Sequence, residues 1–505
     1  MKSKSLRNIC HLWLGLLGAA IILSQVQVAF GQVGSAKYDP SKKFEATQLR
    51  QDFLLLRRAL EEAHPGLYHY SDKTMIEAAF VTASNSLNKQ MTEREFYGIV
   101  TSLLSSVKDG HTKNLPSEAC VDYLSTKAKL FPLKLRFLKQ RAYVVAGPDN
   151  RVPRGSELLS INGRTIEYLV AEIFGHLVAD GDIKTGKYWE LNDRFALYYY
   201  LFIAQTETFR ISYRDQFNLL RQSSVSAITD TEAKRLANPL SDSADDKKPL
   251  RLSFLAETDT ALLTIKSFSA NEIEDANEDY PKFLENCFRE LEAKKIRQLV
   301  IDLRGNDGGR DSYGSLLFSY LTDQPFRYYD HLETSTDKIS FLQYTNATAT
   351  FNKMFDGYAV PLGNRRFRVN DNRHPNLSLQ QPQANHFSGR IWFLVNGQCF
   401  STTAEFCSIA HYHRRGTFVG EEVGGNYFGN TSGTFLLLTL PNTGIRILIP
   451  LVSYALAVSG YPYQRRGLMP DYNVQPTIQD VLKRTDTELN FTLSLIHSGP
   501  SRLNH

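Results

Sequence analysis

Ser401 follows the apolar run Ile391-Trp-Phe-Leu-Val395 and the turn Asn396-Gly-Gln-Cys-Phe, and a helix-like stretch begins at Thr402. A serine at such a strand-to-helix turn lies among backbone N–H groups that have no intrahelical partner, near the positive end of the helix dipole. Negative charge developing on an oxygen is stabilised there. Serine is equally a preferred helix N-cap, so the turn alone allows either role. A second segment, Asp302-Leu-Arg-Gly-Asn-Asp-Gly308-Gly309, ends the apolar run Leu299-Val-Ile-Asp-Leu303. Paired glycines at the end of a strand let backbone approach a bound group closely. An N–H of Gly308 or Gly309, with that of Thr402, is a candidate donor pair for an oxyanion. No Gly-Lys-Ser/Thr follows, so this is not a phosphate loop. A third segment, Lys108-Asp-Gly-His111-Thr, offers an imidazole as general base. Cys399 lies two residues before Ser401, but its apolar neighbour Phe400 predicts a buried, unreactive thiol.

These segments, in order, resemble the C-terminal processing peptidases, the serine peptidases that include tricorn core protease. The resemblance spans residues 45–480. It rests on Asp302 to Gly309, Ser401-Thr-Thr-Ala-Glu405, Val419-Gly-Glu-Glu-Val-Gly-Gly425 and Gly467-Leu-Met-Pro-Asp471, with His64-Pro-Gly-Leu-Tyr68 and Asp109-Gly-His111-Thr upstream. It implies Ser401 as nucleophile and an oxyanion hole from Gly308, Gly309 and Thr402. One branch of the family uses a lysine some 25 residues after the serine. No lysine occurs here between Ser401 and Lys483, which leaves the histidine-using branch and His111 as base. In that branch an acidic residue just before the "G-x-x-P-D" segment orients the histidine. Tyr463-Gln464-Arg465-Arg466 occupies that place, so Gln464 is the expected orienter, with Asp109 or Glu422 as acidic alternatives. An amide can accept the imidazole N–H but cannot offset imidazolium charge.

The elements that must position these groups read as follows. Leu49, Phe53, Leu56 and Leu60 recur at helical spacing, and Thr92 with Glu95 forms a capping box for a further helix that Gly110 can end. A helical region is therefore expected over 32–125. Short alternating strands and Gly155-Ser-Glu-Leu-Leu-Ser-Ile-Asn-Gly163 resemble a PDZ-type module over 126–215, a fold that binds peptides by strand addition. A polar linker is expected over 216–250. The core, 251–482, alternates strands and helices, and a tail covers 483–505. The fold class is thus α/β (α+β) and multi-domain, and the resemblance implies a ClpP/crotonase-like spiral in the core.

Lys2, Lys4 and Arg7, then the apolar run Leu12 to Phe30 and small residues at 29 and 31, predict a signal peptide over 1–31 cut after Gly31. The protein is expected to be secreted or periplasmic, with no stable membrane span after cleavage. A net charge of +5 spread over 505 residues gives no nucleic-acid footprint. The cysteines show no C-x-x-C spacing, so neither a metal nor any other cofactor is expected. The expected partner is an extended peptide or unfolded protein, hydrolysed through a Ser–His acyl-enzyme. The alternative is a catalytically weak or inactive peptide-binding protein on the same fold, a reading that Gln464 motivates.

Overall fold

The computed structural model describes residues 38–235, 248–255, 258–348 and 350–498. The expected signal peptide, with its cut after Gly31, lies outside the described residues. Among those described, no helix is long and apolar enough to cross a membrane.

The chain is a mixed α/β structure. Its N-terminal part packs helices α1 (Ala46–Ala63), α2 (Lys73–Ser86) and α3 (Glu93–Val107). The capping box opens α3, with the Thr92 side chain accepting from the Glu95 N–H and the Glu95 carboxylate taking the Thr92 N–H at 2.7 Å. The helix ends at Val107, where Lys108 takes the left-handed cap at φ 61°, so Gly110 does not serve as the terminator. Immediately after His111, residues Lys113–Leu115 pair with the long strand Arg446–Leu456, Lys113 opposite Leu448. The loop carrying His111 is thereby sewn onto the far end of the chain.

The residues expected as a PDZ-like module build an antiparallel sheet around a hydrophobic core of their own, with helix Ile166–Phe174 at its side. Its strands run in the order Leu220–Ser226, Thr208–Arg214, Glu157–Ile161, Arg141–Ala146, Lys134–Leu138. The first of these falls in the expected linker. It is an exposed edge strand with Val225 alone buried, so it has no apolar period to read. Residues 236–247 of that linker lie outside the described residues.

The core sheet has six strands in chain order: β1 (Leu250–Phe254), β2 (Thr260–Ile265), β3 (Gln298–Asp302), β4 (Arg390–Val395), β5 (Thr417–Gly420) and β6 (Tyr472–Asn473). β1 pairs antiparallel with β2, and the rest are parallel. The run Leu299, Val300 and Ile301 is fully buried because helices cover both faces of a parallel sheet. Asp302 stands opposite Leu394 in register. The glycine loop after β3 and the Ser401 turn after β4 consequently emerge side by side at the carboxyl edge, where open α/β sheets bind ligands.

A further sheet, built on strands Gly429–Thr439 and Arg446–Leu456, takes in Tyr329–Thr334, Ala359–Gly363 and Arg366–Val369 from the aromatic stretch 325–388. The expected tail is tied down. Helix Thr487–Ser498 begins beside Arg304, whose guanidinium bonds Asp302, Asp486 and Glu488 at 2.7–3.1 Å. Burial alone would raise the Asp302 carboxyl, but Arg304 and Lys266 hold it well below the usual carboxylate range. Arg304→Ala leaves Asp302 buried with Lys266 alone. The expected loss is on the order of 3 kcal/mol of stability, read as a lower urea midpoint.

Candidate active site

The backbone at Ser401 has φ 52° and ψ −129°, and its side chain caps nothing. Both facts separate the two roles open to this residue. A helix cap has extended backbone and spends its hydroxyl on the first-turn N–H groups. Ser401 instead sits in a sparsely populated region that costs on the order of 1–3 kcal/mol, and its hydroxyl is spared. Helix α4 (Thr402–Tyr412) starts at the next residue.

The glycine loop packs directly on this turn. Gly308 has φ 107°, and a Cβ there would lie 2.7 Å from Ser401 Cβ, 2.9 Å from Phe400 O and 3.1 Å from Thr402 N. Thr402 Oγ1 donates to Gly309 O at 3.0 Å. Asn306, fully buried, shapes the loop: its Nδ2 donates to Ile265 O at 3.1 Å and its Oδ1 accepts the Gly308 N–H at 3.0 Å. The Gly308 N–H is therefore committed. No hydrogen bond among the described residues takes the Gly309 or Thr402 N–H. Behind the turn, the Gly424 N–H donates to Cys399 O at 2.8 Å, and a Cβ on Gly424 would meet Gly397 O at 2.1 Å. A Cβ on Gly425 would stand 2.6 Å from Ala404 Cβ, so both glycines of the pair are required by close packing. Cys399 is buried, donates to Leu303 O, and is pushed up to about 12 by its burial, which makes it an inert thiol.

Two histidines come near, and hydrogen bonding separates them. The Gly66 N–H donates to His64 Nδ1 at 3.0 Å, so the His64 proton sits on Nε2, which is 2.6 Å from Thr112 Oγ1 and 3.3 Å from Asp109 Oδ2. Both nitrogens of His64 are used. His111 is 7% exposed and neither ring nitrogen has a partner. Its ring stacks on Phe400, the residue before Ser401, with centroids 4.4 Å apart. Gly110 permits this stacking, since a Cβ there would stand 2.8 Å from the Phe400 ring. Burial pushes His111 down to about 4 despite the Asp109 charge, so its imidazole is neutral at ordinary pH.

Asp109 accepts the N–H groups of His111 at 2.8 Å and Thr112 at 3.1 Å on Oδ1, and the Thr431 hydroxyl and His64 on Oδ2. Burial raises this carboxyl, but donation from His64, the field of the imidazoles and Thr431 hold it well below the usual carboxylate range. Asp180 is 1% exposed and accepts the Gly110 N–H at 2.7 Å and the Asn426 N–H at 3.2 Å. Burial and the neighbouring Asp109 charge push it up to about 7.

Ser401, Thr402, Gly309 and His111 line one cavity of about 420 Å³, with Lys113, Asp307 and Glu405 among the other walls. Glu405 is structural: its carboxylate accepts from Tyr329 Oη and Asn430 Nδ2, each at 2.7 Å. Asp109, His111 and Asp180 place a potential metal-ligand atom each within 4.8 Å of one another. Asp109 already accepts from three donors and faces His64 at 3.3 Å, leaving His111 and Asp180, fewer than the three protein ligands a catalytic zinc takes.

Gln464 is not brought to His111. It is exposed, and its Nε2 donates to Tyr461 O at 3.3 Å. Its place before Gly467 in the sequence says nothing of where its side chain points. Glu422 is also committed, to Arg466 through two 2.7 Å contacts and to the Gly467 N–H. Gln464→Ala is expected to leave kcat and KM within about twofold, as a surface substitution does. Asp180 and Asn306 were not read from the sequence as site residues. Asp180 had no local signal, whereas Asn306 sat in a loop already marked by its glycines.

A strained serine at a strand-to-helix turn, packed on a glycine loop at the carboxyl edge of a parallel sheet, defines the chain as a serine-type peptidase. Residues 259–474 match the model of peptidase family S41, in line with the resemblance to the C-terminal processing peptidases. The fold is similar to that of mature CPAF, at 14% identity and a TM-score of 0.62, covering 89% of this chain and 96% of that one. It is likewise similar to mature CPAF complexed with lactacystin, at 14% identity and a TM-score of 0.60, covering 90% and 98%. Comparison with curated proteins gave no match.

Proposed function

We propose that this protein is an exported peptidase that hydrolyses extended polypeptides through an acyl-enzyme on Ser401, with His111 as general base. The observation that carries the reading is the pairing of a hydroxyl free of any cap with a buried imidazole free at both nitrogens, on the walls of one cavity. His111 takes the Ser401 proton as Oγ attacks the scissile carbonyl, then returns it to the leaving amine. The same imidazole next activates water to release the acyl group. The Gly309 and Thr402 N–H groups, both without a partner, receive the oxyanion, while Gly308 contributes close approach and not a donor. A neutral imidazole is what the first step requires, and burial supplies it.

The basic and apolar N-terminus supports export, and the antiparallel sheet over 134–226 supports recruitment of extended substrate by strand addition. The test is hydrolysis of casein by the purified protein lacking residues 1–31. New peptide termini, absent with Ser401→Ala, are the expected result. Casein left intact while still bound would favour the peptide-binding alternative.

A further inference from the structure

His111 raises a question its own loop does not answer. A general base needs one ring nitrogen for the nucleophile and a fixed acceptor for the other, which sets the tautomer and opposes the charge of the imidazolium. Neither Gln464 nor Glu422 can provide that acceptor, as shown above. Two carboxylates lie within reach, Asp109 and Asp180. A carboxylate has about four acceptor positions. Asp109 accepts from His111 N, Thr112 N and Thr431 Oγ1, and its Oδ2 also faces His64 Nε2 at 3.3 Å. Asp180 has used two, one on each oxygen, for Gly110 N and Asn426 N.

We infer that Asp180 is the residue that positions His111, accepting its second imidazole N–H in the working site. The inference rests on reading Ser401 and His111 as nucleophile and base. Asp180 is well held for this purpose. Gly181 N donates to Lys108 O at 2.9 Å, and Asp182 N to Arg465 O at 2.9 Å. The Asp182 carboxylate bridges Lys108 at 2.7 Å and Arg465 at 2.8 Å. On one side Asp180 holds the His111 loop through Gly110. On the other it holds Asn426, which follows the glycine pair packed behind the Ser401 turn. One carboxylate thus ties the loop of the base to the support of the nucleophile. A side chain at 110 would intrude on the arrangement, since a Cβ there would stand 2.9 Å from Asp180 Oδ1. Asp109 is a positioning group of a different kind: it fixes the backbone of His111 and Thr112 and keeps its negative charge.

The charged groups around His111 are Asp109, Asp180 and Lys113, with His64 beyond Thr112 and Asp307 across the cavity. Burial pushes His111 down to about 4 against the Asp109 charge, while burial and the Asp109 charge together push Asp180 up to about 7. Asp180 accepts the imidazole N–H as a carboxylate, so the acid limb of kcat/KM is expected near its titration at about 7. Asp180→Asn removes that titration and leaves the limb to His111, at lower pH.

The test compares wild type, Asp180→Asn and Asp180→Glu by the pH profile of peptide hydrolysis, and by the exchange-protected imidazole N–H resonance in ¹⁵N-histidine protein, assigned with His111→Gln. Asp180→Asn is expected to lose about 10²- to 10⁴-fold in kcat with KM little changed, with the acid limb displaced downward and the N–H resonance gone. Asp180→Glu is expected to recover part of the rate and to shift the resonance. A kcat loss with an unmoved limb and an intact resonance would make Asp180 a structural staple only and overturn the inference. Should Asp180→Asn fail to fold, a resonance unmoved in Asp180→Glu overturns it equally. If the wild-type protein hydrolyses nothing, the Ser–His reading fails, and the resonance by itself still decides the Asp180 contact.

Discussion

Ser401→Ala and His111→Ala each reduce peptide hydrolysis by about 10⁴-fold or more, and the double variant is no slower than either single one. This is the expected outcome because the two side chains act in one step. Without the hydroxyl no acyl-enzyme forms, and without the imidazole the hydroxyl keeps its proton. Residual turnover comes from the Gly309 and Thr402 N–H groups, which still polarise the carbonyl for attack by water. The folded state is expected to survive both changes. Ser401 makes no cap bond, and alanine there relieves no packing. His111 gives up no hydrogen bond from its ring, only stacking on Phe400. Steady-state kinetics on a quenched peptide, with thermal melts as the control, measure both. Multiplicative losses would mean that the two residues do not share a step.

Gly308→Ala is the second large effect, and it acts through geometry. The added methyl meets Ser401 Cβ at 2.7 Å and Phe400 O at 2.9 Å, and both are held by their own backbone, so neither can swing aside cheaply. The φ of 107° is unfavourable for any side chain as well. The nucleophile turn must shift, and misplacement by about 1 Å costs roughly 10²-fold in rate. Stability is expected to fall by about 1–3 kcal/mol from the backbone alone. The signature is a lower kcat with a lower melting temperature, in contrast to Ser401→Ala, which lowers kcat alone.

Much of the framework was legible because local pattern and tertiary role agree. Leu299 to Ile301 and Ile391 to Val395 read as buried strands and became the adjacent strands β3 and β4. Thr92 and Glu95 cap α3 as their spacing requires. Gly110 shows where local reasoning stops. A glycine after a helix reads as its terminator, yet Lys108 takes the left-handed turn, and Gly110 is small so that Phe400 and Asp180 can approach. Gln464 shows the same limit: linear distance from Gly467 placed it near the site, and in the fold its amide bonds Tyr461 O instead. Asp180 lies in a polar loop, Asp180-Gly-Asp182, that no periodicity distinguishes from any other turn. Its meaning comes from contacts with residues 110 and 426, which only the folded chain brings together.

Covalent labelling tests the central claim most directly. The protein lacking residues 1–31 is treated with a fluorophosphonate probe, and the adduct is located by peptide mass spectrometry. The expected result is one adduct per chain, on Ser401, absent from Ser401→Ala and formed far more slowly in His111→Ala. An unlabelled Ser401 in folded protein, or labelling at an undiminished rate without His111, would contradict the account.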